Sequence, residues 1–352
     1  MHPFFSQLGL RYPLIQAPMA GVQDYQLALA AAHAGALGSL PCAMLTPEAL
    51  QTNLQALHDA LGTNAAFNVN FFCHQEPSVS SDAQARWHAA LAPEYQRMGL
   101  DSQQIPPLQA GRQPFSAEWA QRLAPFKPKV VSFHFGLPAA ELIDTVKAWG
   151  AKVIASATTV EEGLWLQAHG ADAVIAQGLE AGGHRGHFLS TDTSLQMGTF
   201  ALVPQLADVL SIPVIAAGGI VDTRTVRAAM ALGAAGVQVG TAFLLCPQAL
   251  TSPLHRQALQ SAAATHTALT RAFTGGAARG IVNHAMQRLQ PHEAKIPAFP
   301  LASSSIGPLR SHAEAQGLAD FTPLWSGQNN RQLPTQSAAW IVEQLGQAAL
   351  SI

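Results

Sequence analysis

Charge is scarce in this chain: Asp, Glu, Lys and Arg make up 11% of its 352 residues, against 48% apolar residues. A chain this long with so little charge has a sizeable core, in one large domain or two small ones. The formal net charge of -2 gives no electrostatic reason to expect nucleic acid or an anionic membrane, and points to small molecules as partners. Cysteine is rare too. Cys42, Cys73 and Cys246 are odd in number and far apart, which fits neither a disulfide framework nor a metal-ligand spacing and agrees with a reducing, cytoplasmic setting. Long hydrophobic runs are also missing. The start has no basic region followed by a sustained apolar stretch, so no signal peptide is expected. The charge-free stretch 25–47 is broken by Gln26, His33, Gly35 and Pro41, which makes it a buried helix followed by a buried strand rather than a membrane span.

Several motifs are absent as well. No Gly-x-Gly-x-x-Gly follows the first apolar run, where the turn is instead Ala17-Pro18-Met19-Ala20-Gly21, and this disfavours an open dinucleotide-binding sheet. There is no Gly-x-Ser-x-Gly elbow for a serine nucleophile, and Ser156 lies at an ordinary strand end. His184 and His187 stand three apart in a glycine loop without a carboxylate pair or a cysteine, so no metal site is expected.

What the chain does have is a repeated phrase. Gly35-Ala36, Gly150-Ala151, Gly170-Ala171 and Gly233-Ala234 each close an alanine-rich helical stretch and precede an apolar run, the pattern of a helix stopped by a left-handed glycine before a strand. Strands are expected at 14–19, 37–40, 66–71, 130–135, 153–157, 173–176, 214–217 and 237–240. Helices are expected at 26–34, 139–149, 160–169 and 223–232, among others. Most of these strands are continuous apolar runs, as in parallel strands covered on both faces. Eight of them alternating with helices is the count of an α/β (β/α)₈ TIM barrel, with an open doubly wound sheet as the alternative.

Two segments break the repeat. Residues 75–128, after the third strand, form an insertion with a helix around 83–98, a proline-rich loop at 105–114 and a short helix to Leu123. After the eighth strand come a helix, a Gly- and Ser-rich loop region and a closing helix at 335–350. The expected division is a barrel over 1–260 that includes the insertion, and an extension over 261–352 packed over or beside it. By position both additions can roof the barrel's open end.

Ligands of such barrels sit over the C-terminal strand ends, and a phosphate commonly lies in the loops after strands seven and eight. Ala217-Gly218-Gly219-Ile220 ends the seventh strand just before a helix start, and Gln238-Val239-Gly240-Thr241 ends the eighth. Backbone N–H groups at these glycines, with the Thr241 hydroxyl, suit a phosphate dianion; tight helix–strand packing is the competing explanation. A third glycine loop, Gln177-Gly178-Leu179-Glu180-Ala181-Gly182-Gly183-His184, carries a histidine placed for proton transfer or hydrogen bonding. A phosphate-bearing ligand, a histidine and no nucleophile together fit chemistry carried by a cofactor.

Taken with residues 16–21, 68–74 and 132–136, these motifs resemble the nitronate monooxygenase family, formerly called 2-nitropropane dioxygenases, from about residue 5 to 330 and in family order. The resemblance implies an FMN-dependent (β/α)₈ enzyme that oxidises alkyl nitronates with O₂ to carbonyl compounds and nitrite. It implies that Pro18, Met19 and Gly21 line the flavin and that Asn70 and Gln177 reach its polar atoms. Gly182, Gly183, Gly219, Gln238 and Val239 would contact FMN, with Gly218, Gly219, Gly240 and Thr241 on its phosphate. His184 matches the family's active-site histidine. His134 matches a second one, found in a subgroup that prefers nitronates, including the anion of 3-nitropropionate. By context alone, His134 is a buried histidine bonded to a carbonyl. One departure stands out: Phe299-Pro300 replaces a Tyr-Pro of that subgroup and removes a hydroxyl. His187 is expected at the surface, Glu180 on loop amides and Cys73 in the core. The alternatives are an FMN-dependent enoyl-thioester reductase using NAD(P)H and a flavin-binding barrel without turnover. The oligomeric state is left open.

Overall fold

The structure is a computed structural model that describes residues 1–351. In chain order the strands are β1 (Leu14–Gln16), β2 (Gly38–Pro41), β3 (Phe67–Phe72), β4 (Val130–His134), β5 (Lys152–Ala157), β6 (Ala173–Gln177), β7 (Gly183–His184), β8 (Val214–Ala217), β9 (Gly236–Val239), β10 (Thr267–Thr270) and β11 (Ala278–Ile281). Eight of them form one parallel sheet in the order β1-β9-β8-β6-β5-β4-β3-β2. The ends of this sheet meet where Ile15 bridges Leu37, with Gln16 N–H donating to the Leu37 carbonyl at 3.0 Å, so the sheet is a nearly closed TIM-like barrel. Each expected strand is present with ends shifted by a residue or so, except the first. That strand stops at Gln16 rather than Met19, because the chain turns out of the sheet at Ala17 and Pro18 has no N–H for a ladder.

The four glycine stops hold: Gly35, Gly150, Gly170 and Gly233 have φ of 98°, 88°, 97° and 98°, the left-handed region where a side chain is strained. The helices expected at 26–34, 139–149, 160–169 and 223–232 run over Tyr25–His33, Ala140–Ala148, Val160–Ala168 and Thr223–Ala231. The closing helix is Ala338–Leu350. Its Ala338, Ile341, Val342 and Leu345 lie in the same apolar cluster as the barrel strands, and Gly346 rests against the Tyr12 ring. Below the sheet, Phe4 and Phe5 pack with Ile15, Leu37, Ile154, Ile175 and Ile215 and plug the barrel.

Two findings go beyond the sequence reading. Strands β10, β11 and β7 make a small antiparallel sheet, none of it anticipated. The region read as a Gly- and Ser-rich loop contains the helix Ala302–Ala315, despite three consecutive serines and an internal Pro308. Propensity is overridden there by packing: Ala302, Ser305, Ile306, Leu309 and Ala313 recur at helical spacing and bury one face. That face meets Trp87, Leu91 and Tyr95 of the insertion helix Ser81–Arg97, and the two additions thereby share an apolar cluster separate from the barrel's. No helix among the described residues is long and apolar enough to cross a membrane.

A charged knot joins the same two additions. The Glu94 carboxylate, 5% exposed, accepts from Arg97 at 2.8 Å, His284 at 2.7 Å and Arg288 at 3.2 Å. Burial by itself would raise its pKa, but these three hydrogen bonds outweigh it and hold the group at about 2. A depressed carboxylate stabilises the fold above its unfolded value, 4.5, and loses that contribution as pH falls toward 2. Glu94→Gln is expected to lower unfolding free energy by about 2 kcal/mol at pH 7. In urea melts, the gap to the parent protein should narrow between about pH 4.5 and 2 and nowhere above.

Candidate active site

At the C-terminal ends of the barrel strands lies a cavity whose lining draws on all the expected regions: Pro18 and Met19, Asn70, His134, Gln177, Gly182 to His184, Gly218 and Gly219, and Gln238, Gly240 and Thr241. The glycines after the seventh and eighth barrel strands do converge on one space. Two expected residues lie elsewhere. Gly21 is exposed and off the lining, since the turn carries it past the rim. Val239 turns its side chain into the core and meets the site only through its carbonyl, which accepts from Ala17 N–H at 2.8 Å.

Part of the cavity lining is built of backbone. The N–H groups of Gly218, Gly219 and Ile220 carry no hydrogen bond among the described residues, so they remain available to a ligand. A Cβ on Gly218, whose φ is 114°, would sit 2.9 Å from Thr199 Oγ1 and 3.1 Å from Ala181 N. Glycine is the residue that fits there. The Thr241 hydroxyl accepts from Gly327 N–H at 3.0 Å and keeps its own proton to donate, while Asn329 Nδ2 donates to the Gly219 carbonyl at 2.8 Å. Gly327 and Asn329 were missed by the sequence reading; their signal, a polar glycine-containing segment at 326–330, resembles any loop. Gln238 Oε1 is buried without a partner, an acceptor waiting for a donor.

The loop between β6 and β7 is rigidly fastened. Arg185, fully buried, donates to the carbonyls of Gln177 at 2.6 Å and Gly178 at 2.7 Å and to Gln196 Oε1 at 2.7 Å. Gln177, expected on a ligand, first serves the loop: its Nε2 donates to the His184 carbonyl at 2.9 Å, and its Oε1 accepts from Gly186 N–H at 2.8 Å. Glu180 accepts from the backbone N–H and hydroxyl of Thr199, the first residue of the helix Thr199–Val209. It therefore bonds backbone rather than His184. His187 is half-buried, not at the surface, with Nδ1 enclosed and unpaired.

The two central histidines differ. His134 is engaged on both sides, through Nε2 with the His184 carbonyl and through Nδ1 with Ser156 Oγ, each at 3.1 Å. A carbonyl only accepts, so Nε2 carries the proton and Nδ1 accepts from the serine. His184 Nε2 meets Thr274 Oγ1 at 2.8 Å, while no protein group among the described residues bonds its Nδ1. The His184 ring sits among Phe299 at 5.2 Å, Trp325 at 5.7 Å, Phe135 at 6.2 Å and Phe72 at 6.3 Å, an aromatic wall. Burial, aided by the charge of Arg112, holds His184 well below 6.5. Burial likewise brings His134 to about 4, against the hydrogen bond to the His184 carbonyl, which raises it. Both rings are neutral at pH 7. The proline-rich loop contributes Arg112 to the lining, a residue that no local pattern in the chain marks out.

A backbone cradle for an anion, neutral imidazoles and an aromatic roof over a (β/α)₈ barrel are the parts of a cofactor-dependent barrel enzyme. The family model described as Nitronate monooxygenase matches residues 3–348. The nitronate monooxygenase of Pseudomonas aeruginosa is 38% identical, over 97% of this chain and 98% of that one. The crystal structure of a nitroalkane oxidase from Streptomyces ansochromogenes superimposes with a TM-score of 0.86 at 35% identity, covering 97% of this chain and 96% of that one. FabK from Thermotoga maritima follows at 0.74 and 25%, over 99% and 96%. The chain belongs to the nitronate monooxygenase family, whose members are flavin-dependent oxidoreductases.

The Arg185 clamp gives the loop a measurable weak point. Arg185→Lys puts one ammonium where a planar fork serves three acceptors, and should lower unfolding free energy by about 2–4 kcal/mol, read in denaturant melts.

Proposed function

We propose that this protein binds FMN and oxidises alkyl nitronates with O₂ to a carbonyl compound and nitrite, and that propionate 3-nitronate is among the substrates it accepts. The observation that carries this reading is the cavity itself, whose one lining contains both the unbonded N–H groups of Gly218, Gly219 and Ile220 and the neutral His184.

The residues fit a flavin mononucleotide. Gly218, Gly219, Gly240 and Thr241 would take its phosphate with backbone and hydroxyl donors, as helix-start loops do in the absence of lysine. The orphaned Gln238 Oε1 would accept from a hydroxyl or ring N–H, and Pro18, Met19 and Asn70 would flank the ring. When bound, the flavin supplies the electron acceptor for the nitronate and the means of activating O₂.

The chain's own groups then have defined tasks. The Thr274 hydroxyl lies 2.8 Å from His184 Nε2; in the proposed reaction it donates there, which would leave the imidazole proton on Nδ1 for the nitronate oxygens. His134 acts through the loop, holding the His184 backbone by its carbonyl. The aromatic wall excludes water and strengthens that hydrogen bond. A histidine held neutral so far below its usual pKa is a weak base for removing a carbon-bound proton, which favours the preformed anion over the neutral nitroalkane.

The test is direct. The purified protein should be yellow, release FMN on denaturation, and liberate nitrite from ethyl or propyl nitronate; a colourless protein, or flavin bleached anaerobically by NADPH but not by nitronate, sinks the reading. His184→Ala should keep its flavin and lose about 10²–10³-fold in kcat/KM on nitronate, the usual cost of one well-aimed donor to a developing anion.

A further inference from the structure

The lining of the cavity contains no aspartate or glutamate and three histidines, His134, His184 and His255. Burial keeps all three below their ordinary range, His255 at about 4. At neutral pH, Arg112 is therefore the one fully charged side chain facing this space.

It is also an arginine with no side-chain hydrogen bond among the described residues. Arg112 makes no ion pair among the described residues, and its guanidinium Nη1 is buried with no acceptor. Burial lowers its pKa to about 10, still protonated at pH 7. An enclosed guanidinium nitrogen lacking an acceptor is costly for the fold to maintain, and an anionic ligand relieves that cost. The side chain is nonetheless held in place. Its Cζ lies 5.3 Å from the centre of the Phe299 ring, whose centre is 5.2 Å from that of His184. The segment bearing it is pinned at both ends: Leu108 N–H donates to Gln84 Oε1 at 2.9 Å, Gln109 N–H to Ser304 Oγ at 3.2 Å, and Phe115 N–H to the Phe72 carbonyl at 2.8 Å. Phe299 is thus a neighbour common to the guanidinium and the His184 imidazole.

We propose that Arg112 is the anion-reading residue of the site, binding the planar O–N–O fork of the nitronate with its guanidinium and so selecting the anion over its neutral nitroalkane acid. The geometry matches: a guanidinium offers two parallel donors to a planar pair of oxygens, as it does to a carboxylate. The charge accounts for the discrimination, because a neutral nitroalkane presents the same two oxygens without the net charge that would pair the guanidinium. The insertion at 75–128 acquires a task by this assignment, since it delivers to a barrel without lysine or arginine in the lining the cation that the substrate needs.

The assignment rests on the nitronate reading, and two measurements separate their fates. In steady-state kinetics with ethyl nitronate on flavin-loaded protein, Arg112→Gln should raise KM about 10–100-fold with kcat nearly unchanged, the mark of lost ground-state binding. Arg112→Lys, which keeps the charge and loses the fork, should fall between. In calorimetric titration with nitrate, a planar anion with the same oxygen fork, Arg112→Gln should weaken binding by a similar factor while flavin content stays at the parental value and the melting temperature does not fall, since the variant removes a costly unpaired charge. Parental KM and parental nitrate affinity in Arg112→Gln overturn the proposal, and so does a fall in kcat at constant KM. If the parent protein turned over no nitronate, the reaction assignment would fall, and the nitrate titration alone would still decide about Arg112.

Discussion

The backbone carbonyl of His184 is the point on which the site depends. It accepts from Gln177 Nε2 and from His134 Nε2. These two donors come from the ends of β6 and β4, the strands on either side of β5, so the loop carrying His184 is tied to the sheet at two separate strands. The neighbouring residue adds a third tie, with Arg185 N–H donating to the Ala277 carbonyl at 2.8 Å and the arginine side chain gripping the carbonyls of Gln177 and Gly178. A loop of small residues would otherwise be mobile, since glycine carries the largest entropic cost of ordering. Here nearly every polar group in it has a fixed partner, and the imidazole inherits the rigidity of the barrel. That is the condition under which a single neutral hydrogen-bond donor contributes to a reaction.

The same arrangement gives His134, which the family resemblance makes a second active-site residue, a bracing contact to the loop as well. A histidine with both nitrogens engaged has no free valence for a substrate unless a bond is given up, and giving up the bond to the His184 carbonyl would loosen the loop. Its position in the lining and its role in holding the loop are compatible, because the ring contributes an edge to the cavity while its nitrogens point along the strand ends to Ser156 and His184.

Much of this could be read in the chain, for physical reasons that also mark where reading fails. The barrel strands are apolar runs flanked by left-handed glycines, two local signals that agree. The Gly218-Gly219 and Gly240-Thr241 steps announced themselves because their place in the repeat gave them meaning. The ribbon of β7, β10 and β11 gave no such sign: β7 is two residues, too short for any period, and β11, Ala278-Arg279-Gly280-Ile281, is buried although it contains an arginine. Arg279 is tolerated there because its Nε donates to the Leu179 carbonyl at 2.8 Å, a contact 100 residues away. Arg112 was silent for the same reason. A single arginine in a proline-rich loop has no local pattern, and its importance arises only when the insertion folds across the barrel and sets it beside Phe299.

That placement resolves the one departure noted between this chain and the tyrosine-bearing subgroup it resembles. Losing a hydroxyl at position 299 would weaken a site that relied on it for polar recognition. Yet the Phe299 ring is in contact with aromatic or cationic neighbours on several sides: His184, Phe72, Phe135, His74 and the Arg112 guanidinium. A phenyl ring suits that company, since it needs no hydrogen-bond partner in a dry wall and its face attracts a cation. The burial and nearby positive charge that keep the imidazoles unprotonated also leave charge recognition to the one group that burial does not neutralise. In the proposed reaction, proton placement falls to His184 and charge recognition to Arg112, two groups that share the Phe299 ring as a neighbour.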